Sequence, residues 1–214
     1  KIEDERFLFL CDTEGLLVWA EYPATYEFND RAISAIAAEW LEAVRQQYNH
    51  PCVIAWVPFN ESWGIPNVYT DKLQQRFTEG IYSLTKAFDP MRPVVCNDGW
   101  EHTCSDIVTV HDYDGCVERV NDRYKNDMKD ILDNKIAPTN YRFVMAKGYE
   151  YQGQPIVVSE YGGFKLAGTE GWGYDGEAKD AEDLVRKYDK ITSAYKKMEK
   201  VCGFCYTQLT DVYH

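Results

Sequence analysis

The sequence predicts an α/β fold of the (β/α)8 barrel type. Short apolar, β-branched runs alternate with longer amphipathic segments, which is the rhythm of a parallel sheet covered by helices. Polar and aromatic residues follow five of these runs, as in barrels whose strand ends present groups to a ligand. No Gly-x-Gly-x-x-Gly motif directly follows a predicted strand and no Gly-x-x-x-x-Gly-Lys occurs, so an open nucleotide-binding sheet lacks its phosphate loop.

The composition predicts one globular domain, residues 1–214, that binds an uncharged ligand. With 45% hydrophobic residues among 214, the chain can bury a substantial core. A net charge of -12 argues against nucleic acid and anionic membranes as partners. No apolar stretch reaches the roughly 20 residues that span a bilayer, and no signal-peptide core follows Lys1.

The elements follow in chain order. Six strands are predicted, at residues 16–21, 53–59, 93–96, 107–110, 156–159 and 201–207. Helices with apolar residues three and four apart are predicted after the first strand, beginning near Asn29, after the second, ending at Asp89-Pro90, and before the last, over residues 184–198. The polar stretch 118–151 is too long for an ordinary helix with its loops, and we expect part of a site rim there.

The cysteines and histidines predict neither a disulfide framework nor a metal site. Seven cysteines are an odd number, which favours reduced, buried thiols and a cytoplasmic location. Cys202 and Cys205 form a Cys-x-x-Cys inside a predicted strand, where structural burial is favoured over redox chemistry. The four histidines are widely separated, so no metal ion and no other cofactor is predicted.

Two glutamates are the strongest functional candidates. Glu61 follows the run at residues 53–59, and Glu160 follows the run at residues 156–159. Carboxylates at the carboxyl ends of barrel strands are typical of catalytic groups, although a solvated or ion-paired carboxylate is the alternative for each.

The surrounding motifs resemble glycoside hydrolase family 2, which contains β-galactosidases, β-glucuronidases and β-mannosidases. Asn-His-Pro-Cys-Val-Ile-Ala-Trp at 49–56, leading into Asn60-Glu61-Ser62, resembles the acid/base strand of that family. Pro-Ile-Val-Val-Ser-Glu-Tyr-Gly-Gly at 155–163 resembles its nucleophile strand, and Asp89-Pro90-x-Arg92-Pro93 resembles the approach to the strand between them.

This resemblance implies a partial TIM-barrel catalytic domain over residues 1–214, truncated to about strands three to eight. Without the first two strands, the barrel would expose unpaired strand edges, through which a homo-oligomer is possible. We expect a fragment of a larger enzyme, weakly active or inactive by itself.

The resemblance also implies the chemistry: retaining hydrolysis of terminal β-glycosides, with a carbohydrate as substrate. Glu61 would be the acid/base, Glu160 the nucleophile, and Asn60 a hydrogen-bonding partner of the sugar 2-hydroxyl. A β-galactosidase-like, neutral substrate is favoured because the Asn-x-Lys pair that β-glucuronidases use for the substrate carboxylate is absent. Specificity for a β-glucuronide or a β-mannoside is the alternative.

Further substrate-binding candidates lie near the strand ends. They are Tyr113, His111, Trp63 and Trp100. Tyr113 is predicted to hydrogen-bond the nucleophile, with Tyr161 as a rival for that role and a rim position as the alternative. The tryptophans, with Trp172, are predicted to stack on sugars, although packing explains a tryptophan near a strand end equally well.

Two other classes of function compete with a hydrolase. A carbohydrate-binding module on a barrel scaffold would not need paired glutamates, and Glu61→Gln would leave its ligand affinity unchanged. An acyl hydrolase is disfavoured because no Gly-x-Ser-x-Gly occurs.

Overall fold

The alternation of strands and helices recurs in the structure, a computed structural model in which residues 1–139, 141–170 and 172–210 are described. The chain divides into two units. Unit 1 contains Lys1–Val108 and Met145–Gln154, and unit 2 contains Thr109–Val144 and the residues from Pro155 onward. Among the described residues, no helix has both the length and the apolar character needed to cross a membrane.

Unit 1 contains three helices and a two-stranded parallel sheet. Its elements are α1 (Glu5–Glu14), β1 (Val18–Glu21), α2 (Asp30–Gln47), β2 (Val53–Val57) and α3 (Lys72–Phe88). Strands β1 and β2 pair in parallel, with Ala20 opposite Trp56. The core between sheet and helices is aromatic: the rings of Trp40 and Trp56 meet edge to face, 6.1 Å between centroids.

The predicted helices of unit 1 are confirmed, and one helix was missed. Asn29 accepts a hydrogen bond from the Ala32 N–H at the start of α2, and Asp71 caps α3 in the same way. Helix α1 was not predicted because the consecutive apolar residues 7–10 hide the helical period. Its start and end are nevertheless marked, by Asp4 as N-cap and by the left-handed Gly15 as C-cap.

The Asp89-Pro90-x-Arg92 motif joins the end of α3 to strand β2. The buried Asp89 carboxylate accepts hydrogen bonds from Trp56 Nε1 (3.0 Å) and the Arg92 guanidinium (2.6 Å). Arg92 also donates to the Val53 carbonyl at 2.6 Å. Burial alone would raise the pKa of Asp89, but these bonds outweigh it and hold the pKa below its usual range.

The strand predicted at residues 93–96 is not continuous. Val94 makes only an isolated parallel bridge to Trp56. The Val94 N–H donates to Asp106 Oδ2 (2.9 Å) and the Cys96 N–H donates to Ser105 Oγ (2.8 Å). Side chains therefore take the place of a neighbouring strand on that edge.

Unit 2 contains a three-stranded sheet in the order β3-β4-β7 and a small pair, β5-β6. Its elements are β3 (Val108–Asp112), α4 (Val117–Asp122), a π-helical turn (Arg123–Asp127), α5 (Met128–Leu132), β4 (Ile156–Tyr161), β5 (Lys165–Leu166), β6 (Glu177–Ala178), α6 (Ala181–Tyr195) and β7 (Gly203–Tyr206). Strands β4 and β7 are parallel. Part of the polar stretch 118–151 is thus helical.

The prediction that the Cys-x-x-Cys pair is buried is wrong. Cys202 and Cys205 are exposed. Cys202 precedes β7 and Cys205 lies on it, and β7 is the last strand in the order of its sheet, with no strand on its far side among the described residues. Cys11, Cys52 and Cys96 are buried. None of the seven cysteines forms a disulfide bond in the structure, and Cys104 and Cys116 are half-buried.

Candidate active site

Glu61 lies in unit 1, in the turn that follows β2. This turn lies beside the segment around Asp98, and Asn60 forms a parallel bridge with Asp98. The Glu61 N–H donates to the Asp98 carbonyl at 2.9 Å, and the Asp98 N–H donates to the Phe59 carbonyl at 2.8 Å. The strand end that carries the candidate acid is therefore fixed through its backbone.

The turn itself has an unusual backbone. Glu61 and Ser62 have φ values of 51° and 60°, in the left-handed region that non-glycine residues rarely adopt. Such a conformation costs roughly 1–3 kcal/mol per residue and persists only where the surroundings enforce it. Strain of this kind is concentrated at functional sites, which sets Glu61 apart from an ordinary surface carboxylate.

Asn60 offers an acceptor atom that the protein does not use. Its Oδ1 is enclosed, and no group among the described residues donates a hydrogen bond to it. A buried polar atom without a partner costs free energy, so such an atom in a native site indicates a ligand or an ordered water. This fits the predicted contact with a sugar hydroxyl.

Glu160 lies on β4 in unit 2, next to two side chains from the end of β3. Its Oε2 accepts a hydrogen bond of 2.5 Å from the Tyr113 hydroxyl. Its Oε1 lies 3.8 Å from Nε2 of the fully buried His111. The structure therefore brings together three residues that the sequence singled out, and a donor at this distance favours the ionised form of a carboxyl group.

Tyr161, the rival for contact with Glu160, is turned away. Its hydroxyl is hydrogen-bonded to Thr192 Oγ1 on α6 at 2.8 Å. The reason is the alternation of side chains along a strand, which places neighbouring residues on opposite faces of the sheet.

Tyr174 is a site residue that the sequence did not reveal. Its ring lies flat against Tyr113, with centroids 3.7 Å apart and planes inclined by 4°. The Tyr174 N–H donates to the carbonyl of Gly163 at 3.0 Å, and Gly163 is left-handed with φ 69°. A Cβ at Gly163 would lie 2.3 Å from the Tyr174 ring. Gly163 thus permits this close packing. The Gly162-Gly163 pair was the only feature of the sequence that indicated it.

A cavity of about 320 Å³ opens beside Tyr113 within unit 2. The lining residues with acidic or basic side chains are Asp112, Asp114, Arg123 and Asp175. Arg123 pairs with Asp112 at 2.5 Å and with Asp114 at 3.0 Å, so its charge is already neutralised. Burial raises the pKa of Asp112 even though Arg123 opposes the shift. The cavity is therefore polar, with more carboxyl groups than cations.

The candidate tryptophans have different surroundings. Trp63 is 50% exposed and meets Tyr26 edge to face, with ring centroids 5.6 Å apart. Trp100 is only 7% exposed, which fits packing better than stacking on a sugar. Trp172 is exposed and its ring lies 4.4 Å from Tyr174.

One group in unit 1 has the chemistry of metal ligands, although no metal was predicted. Ligand atoms of Asp12, His50 and Cys52 lie within 4.8 Å of one another. Asp12 already accepts from His50 Nδ1 at 2.6 Å and from the Cys52 N–H at 2.9 Å. Burial raises the pKa of the Cys52 thiol to about 12, which opposes the thiolate that a metal needs. We interpret this group as a link between α1 and the start of β2.

Comparison with known families matches residues 3–200 to glycosyl hydrolases family 2, TIM barrel domain. A β-glucuronidase of Sus scrofa is 25% identical over 175 residues, covering 77% of this chain and 24% of the pig protein. A β-galactosidase of Vibrio cholerae is 33% identical over 107 residues, covering 49% of this chain and 10% of that protein. This chain therefore spans a quarter or less of the length of these two relatives.

Solved structures show the same fold. The crystal structure of a GH2 β-galacturonidase from Eisenbergiella tayi bound to galacturonate matches with a TM-score of 0.71, over 96% of this chain and 36% of that chain, at 20% identity. A Bifidobacterium dentium β-glucuronidase complexed with coumarin-3-O-glucuronide matches with a TM-score of 0.67, over 95% of this chain and 33% of that chain, at 21% identity. The predicted family and TIM-barrel fold are confirmed, and the truncation to strands three to eight stays a prediction.

Proposed function

The chain belongs to glycosyl hydrolases family 2, through the TIM barrel domain, and on that premise we propose that it carries the catalytic residues of a retaining β-glycosidase. Glu61 is the general acid and base, and Glu160 is the nucleophile. In this chemistry a carboxylate attacks the anomeric carbon while a protonated carboxyl group gives its proton to the leaving oxygen. Water then hydrolyses the glycosyl-enzyme ester, with the first group now acting as base.

The observation that carries the proposal is the hydrogen bond from Tyr113 to Glu160 (2.5 Å). A nucleophilic carboxylate has to be ionised and oriented before it attacks. A phenol that donates to one oxygen supports the ionised form and leaves the other oxygen for the substrate. The enclosed Oδ1 of Asn60 supports the same function, because it can accept the hydrogen of a sugar hydroxyl.

We favour a neutral glycone over a uronate. The lining of the cavity beside Tyr113 has three aspartates and one arginine, and Arg123 is already paired with two of them. A uronate carboxylate placed there would meet like charges, whereas sugar hydroxyls would find acceptors. A β-galactoside therefore fits, and a β-glucuronide is the second candidate because the pig relative is named a β-glucuronidase.

The experiment is covalent labelling with 2,4-dinitrophenyl 2-deoxy-2-fluoro-β-glycosides, which trap the glycosyl-enzyme of retaining hydrolases. We expect one label per chain, located on Glu160 by peptide mass spectrometry, from the galactose probe and not from the glucuronic acid probe. Glu160→Gln is the matched control and should take no label. A label on a residue other than Glu160 would contradict the proposal.

A second experiment distinguishes a hydrolase from a carbohydrate-binding module. In an enzyme, Glu61→Gln abolishes hydrolysis of substrates with poor leaving groups. In a binding module, the same substitution leaves the ligand affinity unchanged. The cytoplasmic location and a homo-oligomer through exposed strand edges stay predictions.

A further inference from the structure

The turn that carries Glu61 contains two successive left-handed residues that are not glycine. Glu61 has φ 51° and Ser62 has φ 60°, and Glu101, on the neighbouring segment, has φ 52°. Gly64, two residues further on, is also left-handed with φ 80°. The chain therefore uses glycine at one such position of this turn, and retains side chains at Glu61 and Ser62 despite the strain.

Three buried side chains enforce this conformation, and we refer to Ser62, Asn97 and Glu101 as the turn clamp. The Asn97 amide accepts from the Ser62 N–H (3.0 Å) and donates to Ser62 Oγ (3.0 Å). It also donates to the carbonyl of Trp100 at 2.7 Å. Ser62 Oγ donates in turn to Glu101 Oε2 at 2.6 Å. All three residues are at most 3% exposed.

The clamp binds both the backbone and the side chain of the residue next to Glu61. Because the Asn97 amide contacts the Ser62 N–H, it fixes the peptide that joins Glu61 to Ser62. The backbone bond from Glu61 to Asp98 fixes the other side of Glu61 at 2.9 Å. A rotation at Glu61 would break bonds on both sides, in a buried place where no water replaces them.

We propose that Ser62, Asn97 and Glu101 are positioning residues for the general acid. The inference rests on the proposed function of Glu61. The clamp holds the peptide after Glu61 in the left-handed region, so that the carboxyl group is directed before substrate binds. A displacement of a catalytic group by about 1 Å can cost 10²-fold in rate, so the direction of this group determines proton transfer.

The test compares two glycosides that differ only in the leaving group. A methyl glycoside needs the acid to protonate its leaving oxygen, and a 2,4-dinitrophenyl glycoside does not. For Asn97→Ala we expect kcat/KM to fall about 10²-fold on the methyl glycoside and by less than about threefold on the dinitrophenyl glycoside. A merely structural role would lower both to the same extent.

Conservative variants separate the clamp from general damage to the fold. Ser62→Ala and Ser62→Gly both remove the hydroxyl, but glycine adopts φ 60° without strain. Ser62→Gly should therefore retain more activity on the methyl glycoside than Ser62→Ala. Glu101→Gln keeps an acceptor for the Ser62 hydroxyl, so its kcat/KM on the methyl glycoside should remain within about threefold of the parent value. Glu101→Ala should lose as much kcat/KM on this substrate as Asn97→Ala.

A crystal structure of Asn97→Ala completes the test and does not depend on turnover. We expect Glu61 and Ser62 to leave the left-handed region. Unchanged φ values at both residues, or equal losses on both glycosides, would overturn the positioning role. Failure of the proposed function is distinguishable, because then the unmodified chain hydrolyses neither glycoside and takes no fluoro-sugar label.

Discussion

Tyr113 and Tyr174 lie face to face, with ring centroids 3.7 Å apart and planes inclined by 4°. The same Tyr113 donates its hydroxyl hydrogen to Glu160. Because the ring is held flat on one side, rotation about its side-chain bonds is restricted, and the hydroxyl stays directed at the carboxylate. The loop that carries Tyr174 is thus linked to Glu160, the proposed nucleophile, through the ring of Tyr113.

Removing the Tyr113 hydroxyl should lower the activity that we propose for Glu160 as nucleophile. Hydrogen bonds to charged groups contribute about 1.5–3 kcal/mol, so Tyr113→Phe should lower kcat/KM about 10- to 100-fold. The measurement is steady-state hydrolysis of an aryl β-galactoside. Tyr161→Phe is the matched control, because its hydroxyl bonds to Thr192. Equal losses in the two variants would refute a specific role for Tyr113.

Removing the Tyr174 ring, which stacks on Tyr113, should lower activity less than removing the Tyr113 hydroxyl. A stacked aromatic pair contributes about 0.5–1.5 kcal/mol, so Tyr174→Ala should lower kcat about 2- to 10-fold. Tyr174→Phe keeps the stacked ring, so its kcat should remain near the parent value. The double variant with Tyr113→Phe should lose little beyond Tyr113→Phe alone. Additive losses would show that Tyr174 acts elsewhere.

The buried Asp89 should make the stability of the chain depend on pH. Its pKa is lowered in the folded state, so the stability it contributes is present above its unfolded pKa of about 3.9 and is lost as pH falls through the folded value. Asp89→Asn should cost about 3 kcal/mol at pH 7, because Arg92 then lacks its carboxylate. The difference from the parent should shrink below about pH 4.

Urea unfolding followed by tryptophan fluorescence at pH 7 and at lower pH measures this difference. Glu42→Gln, at an exposed position of α2, is the control and should unfold like the parent at each pH. A constant difference between Asp89→Asn and the parent at all pH values would show that the carboxylate does not titrate as expected.

The exposed ring pair of Tyr26 and Trp63 should contact the leaving group, because Trp63 lies two residues after the proposed acid. We expect Trp63→Ala to raise KM for aryl glycosides about 2- to 10-fold, with little change for a methyl glycoside. Thermal stability should barely change, since both rings are exposed. Tyr141→Ala removes another ring, 98% exposed, as a control. A rise in KM of the same size for the methyl glycoside would place the rings elsewhere in the site.

The sequence predicted those parts of the fold that depend on local signals. Helices α2 and α3 have regular apolar spacing and side chains that cap their first turns, so their limits could be read from the chain. The discontinuity at residues 93–96 could not be predicted, because it depends on hydrogen bonds that this segment donates to Ser105 and Asp106, which only the folded chain brings near.

The site was predicted to a similar extent. Glu61, Glu160 and Tyr113 are recognisable because each lies at or just beyond the carboxyl end of a strand. The contact of Tyr174 with Tyr113 is not, since it depends on a loop whose path no periodicity specifies. The left-handed Glu61 and Ser62 are equally unreadable, because conformational rules assign such angles to glycine.

The exposed thiols of Cys202, just before β7, and of Cys205, on β7, affect how the protein should be handled. Accessible cysteines oxidise in air, and two chains can then become covalently linked. A dimer that disappears when a reductant is added is therefore a product of storage. An assembly that persists in the Cys202→Ser, Cys205→Ser double variant is held by the folded surface itself.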